Sequence, residues 1–326
     1  MPSTLVHPAP LRTRHLTALS DVAPDEFARL LDTATELKHD PSPTRHALEG
    51  KSVILIFEKD SLRTRCSFEV GVHRLGGHAM YMDHSKQRIG ERESIGDYAR
   101  NLERFFAAVV VRVYAHSTVV GLAQASSVPI INALCDQHHP CQAIADFLTL
   151  RERFAPRDGD LRRIKLAYIG DGNNVAHSLL HAAALAGATL TLVAPPGCGN
   201  PPEHVREAQQ IAARTGATIR VSEDPAAVAG HHAVYTDTWF SMGYAAENAA
   251  AHAARLKLFR PYQVNRELMA KAGSNAIFMH CLPAHRGEEV TDDVIDSTNS
   301  VVFDQAENRL HGQNALMVHL VAGGGR

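Results

Sequence analysis

Short, nearly continuous apolar runs recur along the chain at residues 53–57, 107–111, 128–133, 166–170, 190–194, 218–221, 233–236, 277–280 and 301–303. Runs of this kind read as strands buried on both faces, the habit of a parallel sheet covered by helices. Between them, apolar residues return at helical spacing over 95–106, 141–154, 174–186 and 202–215. Phe68, Val72 and Leu75 mark another helix, and residues 315–320 a last one before a glycine tail expected to fray. Pro24-Asp25-Glu26 ahead of Phe27, Leu30 and Leu31 is a helix start, with proline near its first position and acids in its first turn. This alternation predicts an α/β fold built on parallel sheets flanked by helices. At 326 residues the chain suits two domains better than one core. The polar stretch 151–163, containing Pro156-Arg157-Asp158-Gly159-Asp160, is the natural boundary. The expected domains are therefore 1–150 and 151–304.

The first apolar run leads straight into Phe57-Glu58-Lys59-Asp60-Ser61-Leu62-Arg63-Thr64-Arg65-Cys66-Ser67-Phe68. Ser61 to Arg65 thus sit where a strand turns into a helix. A helix start presents unpaired N–H groups and the positive end of the dipole, which suits an anion. Two hydroxyls and two guanidiniums are added at the same place. No G-x-x-x-x-G-K-[ST] loop is present, so a small phosphate-bearing ligand is indicated rather than a nucleoside triphosphate cradle. Four more clusters close predicted strands: Arg112, Asp136 to Gln142, Asp237 to Gly243, and His280-Cys281-Leu282-Pro283. Each has a bland reading as surface charge, turn start or core thiol. Their recurrence at one edge of successive strands, where open α/β sheets bind ligands, argues for a common site. Gly170-Asp171-Gly172-Asn173-Asn174 resembles the start of a dinucleotide fingerprint, but Val175 stands at the third glycine position and no acid follows the next strand.

Composition narrows the classes. Hydrophobic residues at 45%, charged residues at 21% and a formal net charge of −2 give no reason to expect nucleic acid or an anionic membrane as partner. No apolar stretch approaches the roughly 20 residues of a membrane span. The N-terminal segment lacks a signal-peptide core, and a cytoplasmic location is expected, although Arg12 and Arg14 leave an organelle transit segment open. Cys66, Cys135, Cys141, Cys198 and Cys281 are odd in number with no CxxC spacing, which suits reduced thiols. His138-His139-Pro140-Cys141 finds no second ligand pair, so no structural metal is expected.

Five segments together carry a resemblance that covers nearly the whole chain. Residues 57–65, His139-Pro140-Cys141-Gln142, Asp237-Thr238-Trp239-Phe240-Ser241-Met242-Gly243, His280-Cys281-Leu282-Pro283 and Asp304-Gln305-Ala306-Glu307-Asn308-Arg309 look like the successive signatures of the ornithine carbamoyltransferases. The resemblance implies transfer of the carbamoyl group of carbamoyl phosphate to the δ-amine of L-ornithine, giving L-citrulline and phosphate, in arginine biosynthesis or degradation. It implies a carbamoyl-phosphate domain, an amino-acid domain with the active site in the cleft between them, and a terminal helix over 305–322 packing back on the first. It also implies a homotrimer or a multiple of trimers, with no metal and no organic cofactor.

Residue roles follow from that resemblance. Ser61, Leu62 through its backbone, Arg63 and Thr64 would grip the phosphate, and Arg112 would bridge phosphate and carbonyl oxygen. His139, Thr64 and Arg112 would hold the developing oxyanion. Gln142, the carbonyls of Cys281 and Leu282, and Arg309 would fix the carbamoyl group. Asp237 with Cys281 would position the δ-amine. Asn174 (Asn173 being the adjacent candidate), Ser241 and Met242 would hold the amino-acid head group, with Ser241-Met242-Gly243 acting as a lid. Two positions depart from the family pattern: Leu62 replaces a threonine, and Arg88, or Gln87 if the loop shifts by one, stands where a neighbouring subunit lends a glutamine. The alternative substrates are putrescine and N-acylated ornithine. A non-enzymatic binding protein with the same pocket would tolerate loss of Asp237 or Cys281, and both are present.

Overall fold

The structure, a computed structural model, describes residues 9–240 and 248–322. In chain order its main elements are α1 (Pro24–His39), β1 (Ser52–Phe57), α2 (Leu62–Arg74), β2 (His78–Asp83), α3 (Ile95–Leu102), β3 (Ala108–Arg112), α4 (His116–Ala125), β4 (Ile130–Leu134) and α5 (Pro140–Phe154). Then follow β5 (Lys165–Ile169), α6 (Asn174–Ala186), β6 (Thr189–Val193), α7 (Pro202–Thr215), β7 (Thr218–Ser222), β8 (Ala233–Thr236), α8 (Ala249–Phe259), α9 (Arg266–Ala272), β9 (Ile277–His280), α10 (Asp292–Ile295) and α11 (Val302–Met317). The chain divides into one unit of Met1–Leu148 with Glu307–Arg326, and another of Thr149–Ala306.

In the first unit a parallel sheet runs in the order β2-β1-β3-β4. β1 and β3 are buried almost throughout, as their unbroken Val and Ile content requires. The two strands pair Phe57 with Arg112, which sets that arginine beside the exit of β1. Chain order reverses between β1 and β3, so their carboxyl ends form the switch point at which such sheets take ligands. The C-terminal segment is tied into this unit by Lys38 Nζ donating to Asn308 Oδ1 (2.8 Å) and Thr33 Oγ1 donating to His319 Nε2 (2.9 Å).

The second unit repeats the plan with a parallel sheet ordered β7-β6-β5-β8-β9. Its switch point lies between β5 and β8, and the pairing of Thr236 with His280 places Asp237 beside Cys281. α6 is alanine-rich and buried nearly all round, which its length of apolar sequence permits, and it stops at Gly187 with φ of 71°, a left-handed position suited to glycine.

Two sequence expectations are corrected here. Residues 301–303 are not a strand: the chain makes a single parallel bridge, Ser300 to Phe278, and then enters α11. β2 carried no apolar run because it is an edge strand with alternating, half-exposed residues. Among the described residues no helix is long and apolar enough to cross a membrane.

Candidate active site

On the first unit the β1–α2 junction forms as its sequence demands. Ser61 is the N-cap of α2, its Oγ accepting from the Thr64 N–H at 3.3 Å. The Ser61 hydroxyl donates to Thr64 Oγ1 (2.9 Å), and Arg309 Nη2 donates to the same oxygen (2.8 Å). Thr64 Oγ1 therefore accepts twice, which leaves its own proton available to donate. Arg309 Nη1 donates to Gln142 Oε1 (2.8 Å), and Gln142 Nε2 donates to Asp146 Oδ1 (2.8 Å). Thr64, Gln142, Asp146 and Arg309 are all buried. This chain of bonds gathers residues far apart in sequence onto one spot.

His139 belongs to the same spot. Burial first, and then the positive charges of Arg309, Arg112 and Arg63, hold its imidazole well below the ordinary value. Its neutral ring is thus a hydrogen-bond donor or acceptor, not a cation. Arg112 is fixed by its Nε donating to the Lys59 carbonyl (3.1 Å). Buried Glu58 braces the region, its Oε1 accepting from the Ile89 N–H (2.9 Å) and its Oε2 from the Tyr114 N–H (3.0 Å). Leu62, which stands where the resemblance has a hydroxyl, is 74% exposed. Arg88 is exposed, with its guanidinium over the Tyr114 ring at 4.4 Å from the centroid.

The neutral state of His139 has a consequence for stability. Unfolding returns the ring to an ordinary value of about 6.5, so the unfolded chain takes up the proton more readily than the native one. The contribution is complete above about pH 6.5 and is lost as pH falls below it. His15, His116, His231, His311 and His319 are also lowered, chiefly by burial, and act in the same direction. The urea midpoint of the ligand-free protein is expected to drop between about pH 7 and pH 5, with a shallower drop in His139→Gln. A midpoint that is flat or rising over that window would contradict this account.

On the second unit, Asp237 leaves β8 buried and doubly bonded. Its Oδ1 accepts from the Cys281 thiol (3.0 Å) and its Oδ2 from Asn173 Nδ2 (2.7 Å). Asn173 is the N-cap of α6, its Oδ1 accepting from the N–H groups of Val175 (3.0 Å) and Ala176 (3.1 Å). One side chain thus locks the helix start to the carboxylate. The preceding glycine is required: a Cβ on Gly172 would lie 2.3 Å from the Gly199 carbonyl carbon. The resemblance of this stretch to a dinucleotide fingerprint therefore reflects close backbone packing, with buried Val175 where the third glycine would stand.

Cys281 and Leu282 lie with Asp237 on this unit. Leu282 has φ of 58°, an uncommon conformation for leucine, and its N–H donates to His280 Nδ1 (2.8 Å). The His280 Nε2–H donates to Glu289 Oε1 (3.2 Å), and the His280 main-chain N–H donates to Gln305 Oε1 (3.0 Å). Donor atoms of Asp237, His280 and Cys281 fall within 4.8 Å of one another, but both His280 nitrogens are already engaged in hydrogen bonds. Arg255 adds a clamp, pairing with Asp171 (2.9 Å) and donating to the Trp239 carbonyl (2.5 Å). Ser241, Met242 and Gly243 lie outside the described residues. None of the five cysteines is in a disulfide.

The structure therefore brings Ser61, Arg63, Thr64, Arg112, His139, Gln142 and Arg309 together, and gathers Asn173, Asp237 and Cys281 into a second cluster. Sequence reading passed over Glu58, Asp146, Arg255 and Glu289. Their only sequence signal is a charge inside or beside an apolar run, which does not say what the charge faces.

Two doubly wound parallel units, one with a basic and hydroxyl-rich cluster and one with a carboxylate–thiol–amide cluster, define a group-transfer enzyme acting on a phosphate-bearing donor. Comparison with known proteins narrows this. A family model described as aspartate/ornithine carbamoyltransferase, carbamoyl-P binding domain, matches residues 14–152. The model for the Asp/Orn binding domain of the same family matches residues 162–320. The chain belongs to the aspartate/ornithine carbamoyltransferase family. It is 48% identical over 307 residues to an ornithine carbamoyltransferase of Shewanella oneidensis, covering 94% of this chain and 99% of that one. It is 46% identical over 316 residues to one of Pyrococcus horikoshii, covering 96% and 97%. The solved ornithine carbamoyltransferase from Pyrococcus furiosus superposes with a TM-score of 0.91 at 44% identity, covering 98% of this chain and all of the other.

Proposed function

We propose that the protein transfers the carbamoyl group of carbamoyl phosphate to the δ-amine of L-ornithine, releasing L-citrulline and phosphate. The observation that carries this reading is the convergence of Arg63, Arg112 and Arg309 on a neutral His139, beside a threonine whose proton is free to be donated. That set suits a dianion attached to a polarisable carbonyl.

Ser61, the α2 N–H groups, Arg63 and Thr64 bind the phosphate, Arg63 through the planar fork that matches its oxygens. Thr64, Arg112 and His139 donate to the carbonyl oxygen as it becomes an oxyanion. Gln142, Arg309 and the main-chain carbonyls of Cys281 and Leu282 hold the carbamoyl amide. Ornithine arrives as an ammonium and must lose one proton before attack. That proton passes to solvent, and Asp237, itself oriented by Asn173 and Cys281, holds the resulting δ-amine in place. The neutral amine attacks the carbonyl carbon, the tetrahedral adduct collapses, the C–O bond to phosphate breaks, and the phosphate takes the second amine proton. No covalent enzyme intermediate is needed.

The Asn173 amide is already engaged in capping α6 and holding Asp237, so Asn174 is the residue we assign to the amino-acid head group, with Ser241 and Met242. We also assign a homotrimer, or a multiple of trimers, in which exposed Arg88 serves the phosphate of a neighbouring copy, and a cytoplasmic location compatible with five cysteines outside any disulfide.

The test is a substrate panel: purified protein, carbamoyl phosphate, and separately ornithine, putrescine, acetylornithine and aspartate, with carbamoylated product measured. Ornithine is expected to give the highest kcat/KM. Faster turnover of any other acceptor would overturn the substrate assignment.

A further inference from the structure

The loop that leaves the Leu282–Pro283 turn carries a second group of ligand-type side chains, separate from Asp237 and Cys281. His285, Glu288 and Glu289 place one imidazole nitrogen and two carboxylate oxygens within 4.8 Å of one another. The three are graded in burial, with His285 exposed, Glu288 intermediate and Glu289 at 0% exposure. Glu289 Oε1 accepts from the His280 ring (3.2 Å) and from the main-chain N–H of His285 (2.5 Å). Glu289 Oε2 is buried and has no hydrogen-bond donor, and the His285 Nδ1 faces it at 3.6 Å. A buried carboxylate oxygen left without a donor is costly, and a cation is what offsets such a cost. The nearest arginine in sequence does not supply it. Arg286 is turned to Asp292 (2.8 Å) and Asp296 (2.6 Å). The loop itself is held rigidly, with Gly287 N–H on the Val290 carbonyl (2.8 Å), Glu288 N–H on the His285 carbonyl (2.9 Å), and Gln263 Nε2 on the Glu288 carbonyl (2.7 Å).

We propose that His285, Glu288 and Glu289 form a binding site for a first-row divalent cation of the zinc or cobalt type. One neutral imidazole and two carboxylates make a donor set that such ions accept, with water completing the shell. Exposed His285 gives the ion its way in, and buried Glu289 anchors it. The site is also wired to the reaction loop. Glu289 holds His280, and His280 accepts the N–H of Leu282 in its left-handed conformation. A cation drawing on Glu289 therefore bears on the placement of the Cys281 and Leu282 carbonyls.

The experiment is calorimetric titration of chelator-treated Cys281→Ser protein with Co²⁺ and Zn²⁺, with the visible and near-ultraviolet spectrum of the Co²⁺ form recorded. This background removes the active-site thiol as a competing ligand. One equivalent is expected to bind, with cobalt d–d bands and no thiolate charge-transfer band. His285→Ala, which keeps the main-chain N–H to Glu289, and Glu288→Gln should each weaken binding by about tenfold or more. In the otherwise unaltered protein both variants should keep metal-free turnover, which shows that they fold. Absence of saturable binding below about millimolar cation, an affinity unchanged by both variants, or a thiolate band in the Cys281→Ser background would each overturn the proposal. The binding readout does not depend on ornithine being the acceptor, so failure here and failure of the substrate assignment are separable.

Discussion

Arg309→Met is expected to lower kcat/KM for carbamoyl phosphate by about 10²–10³ while the protein still folds, because Arg309 aligns Thr64, and one oxyanion donor is typically worth that much. Arg309 donates at 2.8 Å to both Thr64 and Gln142, so the substitution removes a charge and also releases the two groups it aligns. Gln142 Oε1 is then left without that donor inside a buried cluster, which should cost about 1–3 kcal/mol of stability. Arg309→Lys is not a conservative control. A point-like ammonium does not reproduce the span between the two guanidinium nitrogens that reach Gln142 and Thr64, and most of the activity loss should persist. Steady-state kinetics with varied carbamoyl phosphate, alongside a urea melt, separate the two effects. Activity within tenfold of the parent in Arg309→Met would mean that the basic cluster is not where the donor substrate binds.

Asp237→Asn is the second large effect. The substitution keeps the shape of the side chain but presents an NH₂ group where the carboxylate accepts two donors, the Cys281 thiol at 3.0 Å and the Asn173 amide at 2.7 Å. One of these contacts becomes a donor facing a donor, and the negative charge that orients an ammonium is gone. Misplacing an attacking group by about 1 Å costs about 10² in rate, and kcat is expected to fall by at least that much. Binding of carbamoyl phosphate, followed by calorimetry in the absence of acceptor, should stay close to the parent because its proposed phosphate ligands are untouched. Asn173→Asp should act in the same direction by setting a second carboxyl group against Asp237. If Asp237→Asn retained near-normal kcat with ornithine, the assignment of Asp237 to the acceptor amine would not survive.

Much of this is legible in the chain by itself. The hydrophobic runs at 53–57, 166–170 and 233–236 are strands because side chains buried on both faces leave no polar positions, and that pattern is local. α6 and α7 begin and end where their caps say, at Asn173 and Gly187 and at the prolines 201 and 202 with Gly216. β2 escaped notice because an edge strand has an exposed face and looks like any polar segment. Residues 301–303 misled because a short apolar run has no intrinsic preference, and only the Ser300 bridge to Phe278 ends the sheet there. The motif-bearing residues were visible by type, but the bracing roles of Glu58 and Glu289 were not, since a carboxylate in a sequence does not announce which N–H groups it will meet.

What the sequence determined by itself was periodicity, caps and an inventory of chemical groups, because these depend on neighbours within a turn or a pleat. It placed an anion-seeking helix start after β1 and a carboxylate after β8. What only the tertiary structure decided was which of those groups act on one another: that Arg309 reaches Thr64 and Gln142, that burial, reinforced by three guanidiniums, keeps His139 neutral, and that Asn173 rather than Asn174 holds Asp237. Those facts depend on strand order and register, which bring together atoms separated by long stretches of chain. Charge interactions of this kind gain their strength from burial, and burial is a property of the folded whole.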